Sequence, residues 1–114
     1  MCRAVWVMVV GPTTDANKAL RRAAGPDAQV VAMATSSDEV LSLLSSSPAD
    51  VVVLSGDLEN ASGLAASIRV AAPKTAIVWV GASPPEDAHA WIDEAGDALE
   101  GAITRGLLAA RAAR

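Results

Sequence analysis

The sequence is poor in the residues from which proteins build disulfides, metal clusters and nucleic-acid surfaces. Its 114 residues include one cysteine, Cys2, and one histidine, His89. These two residues can form neither an internal disulfide nor a zinc cluster, so we expect neither. Lysine and arginine number 9 against 13 aspartates and glutamates, which gives a formal net charge of −4. Because nucleic-acid affinity comes mostly from basic residues that neutralise phosphates, we expect no direct nucleic-acid binding.

The sequence also lacks a long apolar run. None approaches the roughly 18 residues that a membrane-spanning helix needs, so no membrane segment is predicted. The apolar start, residues 4–10, is followed at once by Gly11-Pro12 and preceded only by Arg3, which favours a first strand over a signal peptide. We therefore expect a cytoplasmic protein. A hydrophobic content of 52% argues against disorder, and residues 1–114 are expected to form a single domain.

Apolar runs alternate with helical patterns along the chain. Four runs rich in β-branched residues predict buried strands, at residues 4–10, 28–34, 51–54 and 75–80. Three helices are predicted between them. Their expected starts are Thr13 or Thr14, Ser36 or Ser37, and Ser62-Gly63, since hydroxyl side chains cap helix N-termini.

The last third of the chain carries a fourth predicted helix and an ambiguous segment. Ser83-Pro84-Pro85-Glu86 has the form of a capping box with proline at the first helical position. The apolar residues that recur at helical spacing after it are Ala88, Trp91, Ile92 and Ala95. Residues 97–103 fit either a short fifth strand, which sheet topology favours, or the start of a long final helix, which alanine and glutamate favour.

The alternation of strands and helices predicts an α/β fold. Right-handed crossovers would place helices on both faces of a parallel sheet. The expected architecture is a three-layer, flavodoxin-like, doubly wound parallel sheet of five strands in the order 2-1-3-4-5, with the fifth strand short or missing. In such sheets ligands bind outside the carboxyl ends of the strands, here residues 9–14, 55–60 and 81–83.

Four stretches of the sequence carry a family resemblance. They are Pro48-Ala49-Asp50-Val51-Val52-Val53-Leu54, Gly63-Leu64, Asp93-Glu94-Ala95-Gly96, and Gly101-Ala102 followed by Leu107-Leu108-Ala109-Ala110. In order and spacing they resemble the CheY-like receiver domain of bacterial two-component response regulators. The resemblance covers nearly the whole chain and implies a role in signal transduction.

The residues that give receivers their chemistry are absent. The family's phosphoacceptor aspartate falls on Ser55, its acidic pair after the first strand on Val9 and Val10, and its hydroxyl residue after the fourth strand on Gly81. Residues 97–104 contain no lysine to pair with a phosphoryl group. Because Mg²⁺ requires oxygen ligands, the valines cannot hold it. The sequence therefore predicts a pseudo-receiver with a degenerate pocket, no catalysis, no cofactor and no Mg²⁺.

The resemblance also suggests where such a domain works. Receivers dimerise and signal through their fourth helix, fifth strand and final helix, so we expect a protein partner, a fused effector domain or a homodimer at that side. The candidate surface residues are Trp91, Ile92, Leu99, Ile103 and Leu107. Trp6 and Trp79 fall within predicted strands and are expected in the core, whereas Asp57 and Glu59 are expected to be solvated loop acids.

Two further functions remain open at this stage. Gly11-Pro12-Thr13-Thr14 precedes a helix N-terminus, where backbone amides can bind an anion, so a nucleotide or other phosphate compound is a conceivable ligand. The loop lacks the lysine and spacing of a Walker motif. The other alternative is the N-terminal receiver-like domain of a pilus-assembly or septum-site ATPase, which the chain resembles in its degenerate pocket.

Overall fold

The computed structural model describes residues 5–23, 28–46, 49–58, 60–81, 88–92 and 98–112. In these ranges the chain forms five strands and four helices. The strands are β1 (Val5–Val10), β2 (Ala28–Ala34), β3 (Val51–Ser55), β4 (Ala76–Val80) and β5 (Ala90–Ile92). The helices are α1 (Thr14–Ala23), α2 (Ser37–Ser46), α3 (Ala61–Ala71) and α4 (Ala98–Ala112). None of these four helices is long and apolar enough to cross a membrane.

The strands form one parallel sheet in the order β2-β1-β3-β4-β5. This confirms the predicted flavodoxin-like fold and strand order. The central strand β3 pairs with β1 on one side, where Val10 lies opposite Leu54, and with β4 on the other, where Ser55 lies opposite Val80. These registers bring the carboxyl ends of β1, β3 and β4 together at one edge of the sheet, which we call the carboxyl edge.

Each face of the sheet is covered by two helices, because alternate strand residues point to opposite faces. On the α1/α4 face, Leu20 of α1 and Leu99 of α4 pack with Val53 and its neighbours on that side. On the α2/α3 face, Val40 of α2 and Ile68 of α3 pack with the other set of strand residues. All five residues of β3 are buried, as a strand covered on both faces requires.

The first two helices begin at hydroxyl caps, at positions that the sequence predicted. The Thr13 hydroxyl oxygen accepts a hydrogen bond from the Ala16 N–H at 3.1 Å, and the Ser36 hydroxyl oxygen accepts one from the Glu39 N–H at 3.3 Å. Helix α3 differs, since its N-cap Asn60 has a left-handed backbone (φ 60°, ψ 32°) and makes no side-chain cap hydrogen bond. Polar side chains that satisfy free helix amides thus fix the starts of α1 and α2.

The structure corrects the prediction for the last third of the chain. Residues 90–92, predicted as part of a fourth helix, form strand β5, in which Trp91 lies opposite Trp79 of β4. Residues 98–103 belong to α4 and not to a fifth strand. The predicted capping box and Ala95 lie outside the described residues. Periodicity alone cannot decide whether a short apolar run is a helix or a strand. Here the open edge of β4 supplies backbone hydrogen-bond partners, and residues 90–92 pair with it as a strand.

The strand tryptophans differ in burial. Trp79 is 3% exposed and lies in the core, as predicted, whereas Trp6 is 38% exposed. Burial along β1 rises from partial at Val5 to complete at Val7, so the strand begins outside the packed core. Trp6 was expected to be buried, and its position at the amino end of β1 explains why it is not.

Removing the buried side chain of Ile68 tests the α2/α3 core. Ile68→Ala should lower the free energy of unfolding by about 2–5 kcal/mol, because the fully buried side chain leaves a cavity. The matched control is Val70→Ala in the same helix, which should change it by less than about 0.5 kcal/mol since Val70 is 85% exposed. Urea denaturation of both variants measures this, and equal losses would contradict the assignment of faces.

Candidate functional site

Backbone hydrogen bonds just past the strand ends close the carboxyl edge. The Gly11 N–H donates to the Ala34 carbonyl at 3.2 Å, joining the ends of β1 and β2. The Gly56 N–H donates to the Val80 carbonyl at 2.8 Å, and the Gly81 N–H donates to the Ile92 carbonyl at 2.9 Å. These three amides therefore continue the sheet and do not point toward a ligand.

The two valines at the end of β1 point to opposite sides of the sheet. Val9 is fully buried in the core of the α1/α4 face, and Val10 is fully buried in the core of the α2/α3 face. Both side chains consist of carbon alone and pack among other apolar groups. In this arrangement they serve as core residues and offer no oxygen to a cation.

Ser55 ends β3 and is 7% exposed. Its hydroxyl oxygen accepts a hydrogen bond from the Asp57 N–H at 3.3 Å, and its carbonyl accepts one from the Leu58 N–H at 3.2 Å. Ser55 thus shapes the turn that follows the strand. The Asp57 side chain is exposed, and Glu59 lies outside the described residues. The described residues contain no group of three or more His, Cys, Asp or Glu side chains able to hold a metal ion.

Gly81 lies at the centre of a close approach between β3 and β4. Its φ of +145° is a backbone conformation that favours glycine, and an added Cβ would lie 3.4 Å from the Gly56 Cα. An added Cβ on Gly56 would lie 2.9 Å from Cζ2 of the Trp79 indole. The indole therefore fills the space beneath both glycines. Sequence reasoning missed this contact, although a glycine directly after each of two buried strands was its visible signal.

A small polar cavity lies beside the carboxyl edge, between the β2–α2 and β3–α3 loops. Its volume is about 250 Å³, and it is lined by Thr35, Ser36, Ser37, Leu58 and Asn60. The Glu39 carboxylate accepts hydrogen bonds from the hydroxyls of Thr35 at 3.1 Å and Ser36 at 3.3 Å. Glu39 does not line the cavity, but its carboxylate lies against two of the lining residues, and a negative charge this close disfavours an anion.

The loop between β1 and α1 uses the Gly11 amide and the Thr13 hydroxyl internally, whereas the Oδ1 atom of the nearby Asn17 is buried without a hydrogen-bond partner among the described residues. The Gly11 amide and the Thr13 hydroxyl make the sheet and capping hydrogen bonds described above. Asn17, 2% exposed, donates from its side-chain nitrogen to the Ala34 carbonyl at 3.0 Å. A Cβ on Gly11 would lie 2.7 Å from the Asn17 Oδ1 atom, so the glycine makes room for this side chain. The loop has the contacts of a capped turn.

The five residues predicted as a partner surface do not form one surface. Ile92, Leu99 and Ile103 are buried in the core of the α1/α4 face, at 8%, 0% and 4% exposure. Leu107 is half-buried against the same core. Trp91 is 45% exposed and donates from its indole N–H to the Gly81 carbonyl. The three buried residues therefore drop out of the predicted surface, which is left with Trp91 and part of Leu107.

His89 connects β5, β4 and α3, a role that the sequence did not reveal. Its backbone N–H donates to the Ile77 carbonyl at 2.7 Å, and its Nδ1 atom accepts a hydrogen bond from the Ile77 N–H at 2.9 Å. Its Nε2 atom lies against the Arg69 guanidinium of α3. Burial, and secondly the Arg69 charge, hold the pKa of His89 below the ordinary value of 6.5. The ring is therefore neutral at pH 7.

A matched pair of glycine substitutions tests the carboxyl edge. Gly81→Ala should lower the free energy of unfolding by about 1–3 kcal/mol, because alanine is strained at this φ. Gly101→Ala should raise it by up to about 1 kcal/mol, since Gly101 is exposed within α4 and alanine is the better helix former. Chemical denaturation distinguishes the two signs, and a Gly81→Ala variant as stable as the parent would overturn this view of the edge.

The lowered pKa of His89 predicts a pH dependence of stability. Because the folded-state pKa lies below 6.5, the unfolded chain binds the proton first as the pH falls. The contribution of His89 should be complete above pH 6.5 and decline from there toward the folded-state pKa. Urea midpoints at about pH 7.5 and 5.5 should differ less for His89→Gln than for the parent. An identical pH dependence in both proteins would show that His89 titrates normally.

Sequence comparisons give no relative, whereas structural comparisons give many. No family model and no curated protein matches the chain. The signal receiver domain of an HD domain-containing protein from Pseudomonas fluorescens Pf-5 is similar with a TM-score of 0.80 at 18% identity, over 96% of this chain and 99% of that one. A LuxR-family two-component response regulator from Aurantimonas gives 0.74 at 19% identity, over 97% and 87%.

A third similar structure is the signal receiver domain of the putative response regulator NarL from Mycobacterium tuberculosis. Its TM-score is 0.72 at 18% identity, over 99% of this chain and 100% of that one. Likenesses at this level of identity are evidence of architecture. The chain has the CheY-like fold of response-regulator receiver domains.

Proposed function

We propose that this chain is an atypical receiver-like domain that acts, without phosphorylation, as a protein-interaction module in signal transduction. The fold supports the class, because two of the similar structures are signal receiver domains and the third is a two-component response regulator. The chemistry of the carboxyl edge supports the subtype. The observation that carries the proposal is that Val9 and Val10 are fully buried valines at the position where the resemblance calls for an acidic pair.

The remaining positions of the edge agree with this function. The Ser55 hydroxyl oxygen accepts a hydrogen bond within the following turn. A serine hydroxyl also needs an adjacent base to become a nucleophile. Gly81 offers no side-chain hydroxyl. Its backbone conformation favours glycine, and an added Cβ would lie 3.4 Å from the Gly56 Cα. With valines at the position of the acidic pair, a serine at the end of β3 and a glycine directly after β4, these described positions offer neither the carboxylate ligands nor the acceptor that a receiver uses for phosphoryl transfer. We therefore assign the domain no catalysis, no Mg²⁺ and no other cofactor.

An interaction role needs a surface and a partner. Trp91 is the described aromatic side chain with the largest exposed fraction, and tryptophan is among the residues enriched in interface hot spots. We place the partner contact at Trp91, with a fused effector domain or a separate protein in the cytoplasm as the partner. Direct nucleic-acid binding is not part of the proposal, because the net charge is −4.

The function is tested by adding Mg²⁺ with a phosphoryl donor or a phosphoryl mimic to the protein. Amide spectra of the labelled protein should not change at Ser55, Gly56 or Gly81 on addition of Mg²⁺ followed by acetyl phosphate or beryllofluoride, because the edge offers no ligand set. A receiver that retains its acidic pair and aspartate serves as the positive control. Mass spectrometry of the acetyl phosphate sample should show no phosphoryl adduct.

The proposal would be contradicted by an Mg²⁺-dependent shift of the Ser55, Gly56 or Gly81 amide signals, or by a phosphoryl adduct. Asp57→Asn is the matched variant for that case, because Asp57 is the exposed acid two residues beyond Ser55. An adduct lost in Asp57→Asn would assign a displaced phosphorylation site to Asp57 and would make the domain a phosphorylated receiver.

A further inference from the structure

The outer surface of α2 and α3 carries few charged side chains. The solvent side of a surface helix is normally rich in them, as in α1, whose ten residues include Asp15, Lys18, Arg21 and Arg22. Helix α2 has no charged residue from position 40 to 46, and α3 has none from 61 to 68. The exposed residues in these two stretches are leucine, serine and alanine. Depletion of charge of this kind is typical of the centre of a protein–protein interface.

A groove lies between α2 and α3, and a large apolar side chain projects beside it. Val70 of α3 is 85% exposed, the largest exposed fraction among the large apolar side chains that the structure describes. The groove has a volume of about 370 Å³, and its lining residues all belong to the continuously described stretches 28–46 and 60–81: Leu41, Ala66, Ser67, Val70 and Ala71. One surface thus offers both a projecting side chain and a place to receive one. Such a surface can pair with a copy of itself about a two-fold axis.

The charged residues of these helices lie at opposite ends of the surface. Each helix follows a strand of the parallel sheet, so both begin at the carboxyl edge and run in the same direction. The first turn of α2 holds Asp38 and Glu39, whereas the last turn of α3 holds Arg69, and Lys74 follows that helix. A two-fold axis across the helices turns the second copy end to end. Each acidic end then lies beside a basic end of the other copy.

We propose that the outer surface of α2 and α3, with Val70 and the groove at its centre, is the interface of a reversible homodimer whose copies pack antiparallel. The occupant is a second copy because the shape and the charge pattern both match the same surface once it is reversed. Two chains of net charge −4 can approach there, since no like charges meet at the centre. This inference goes beyond the proposed function and does not rest on it.

The size of the surface sets the expected strength of the dimer. Each helix is about 15 Å long and about 10 Å wide, so the two together present roughly 300 Å² in projection. A stable interface usually buries about 800 Å² of accessible surface on each partner. The contact is therefore a small one. We expect rapid exchange between monomer and dimer, with a dissociation constant on the order of 100 μM.

Sedimentation equilibrium of the 114-residue chain tests the dimer, in reducing buffer so that Cys2 cannot cross-link two copies. Val70→Lys should weaken dimerisation at least about tenfold, because the contact would bury a charge from each copy. The matched control is Leu108→Lys, which adds the same charge at a 60% exposed side chain of α4 and should leave dimerisation unchanged. Both positions are exposed, so both variants should fold, and chemical denaturation checks this.

Charge exchange tests the antiparallel arrangement. Asp38→Lys and Lys74→Glu should each weaken the dimer about threefold, and the double variant should restore the affinity of the parent. Arg105→Glu controls for net charge, because it makes the same change as Lys74→Glu at an exposed position of α4. Equal weakening by Arg105→Glu, or a double variant no tighter than the single ones, would reject the arrangement.

Amide shifts on dilution locate the contact and should centre on Leu41, Ala66 and Val70. The proposal is overturned by a chain that stays monomeric at about 1 mM, or by equal effects of Val70→Lys and Leu108→Lys. Shifts centred on Trp91 and α4 would also overturn it, because they would assign the dimer to the side that the family resemblance implies. None of these outcomes bears on the phosphorylation-independent function, which the test with Mg²⁺ and acetyl phosphate decides separately.

Discussion

The burial of β3 on both faces and its pairing on both edges is the constraint on which the rest of the structure depends. A strand with five buried residues has no side that can face water, so helices must cover the sheet on both faces. Asp50, directly before this strand, fixes its register. Its carboxylate accepts from the Trp6 N–H at 3.0 Å, its N–H donates to the Trp6 carbonyl at 2.8 Å, and its carbonyl accepts from the Ala76 N–H at 3.0 Å.

Asp50 thus aligns the amino ends of β1, β3 and β4, and the composition of the opposite edge follows from that alignment. With the register set, Val10 reaches the level of Leu54, and Ser55 reaches the level of Val80. Because the same registers run through the whole sheet, residues far apart in sequence meet at the carboxyl edge. Valine suits the buried end of β1, since a buried carboxylate without partners there would be costly.

Sequence patterns predicted the elements whose signals are local. The β-branched run of β3 and the hydroxyl caps at Thr13 and Ser36 each depend on a few neighbouring residues, and each was predicted correctly. Strand β5 was mistaken for helix, because Trp91 and Ile92 fit both periodicities and the deciding partner is the open edge of β4. Its pairing exists only after the fold has brought distant parts of the chain together.

The same distinction between local signals and contacts made by the fold applies to the candidate site. That the side chains of Val9 and Val10 offer no oxygen to a hard cation follows from residue type alone and needs no coordinates. The Trp79 indole beneath Gly56 could not be predicted, because its reach across to the next strand depends on register. Arg69 and His89 lie 20 residues apart on a helix and next to a strand, and no spacing rule connects such positions.

Close packing against glycine limits the substitutions that this fold accepts. Gly106 is buried within α4, and a Cβ there would lie 3.0 Å from Cγ2 of Val78, so the helix rests directly on β4 at this point. One apolar core residue can be exchanged for another, but even a methyl group on Gly106 would have to displace the side chain of Val78. A sequence designed onto this backbone with Trp79 and Val78 retained would therefore have to keep glycine at the positions of Gly56, Gly81 and Gly106, whatever apolar residues it used elsewhere in the core.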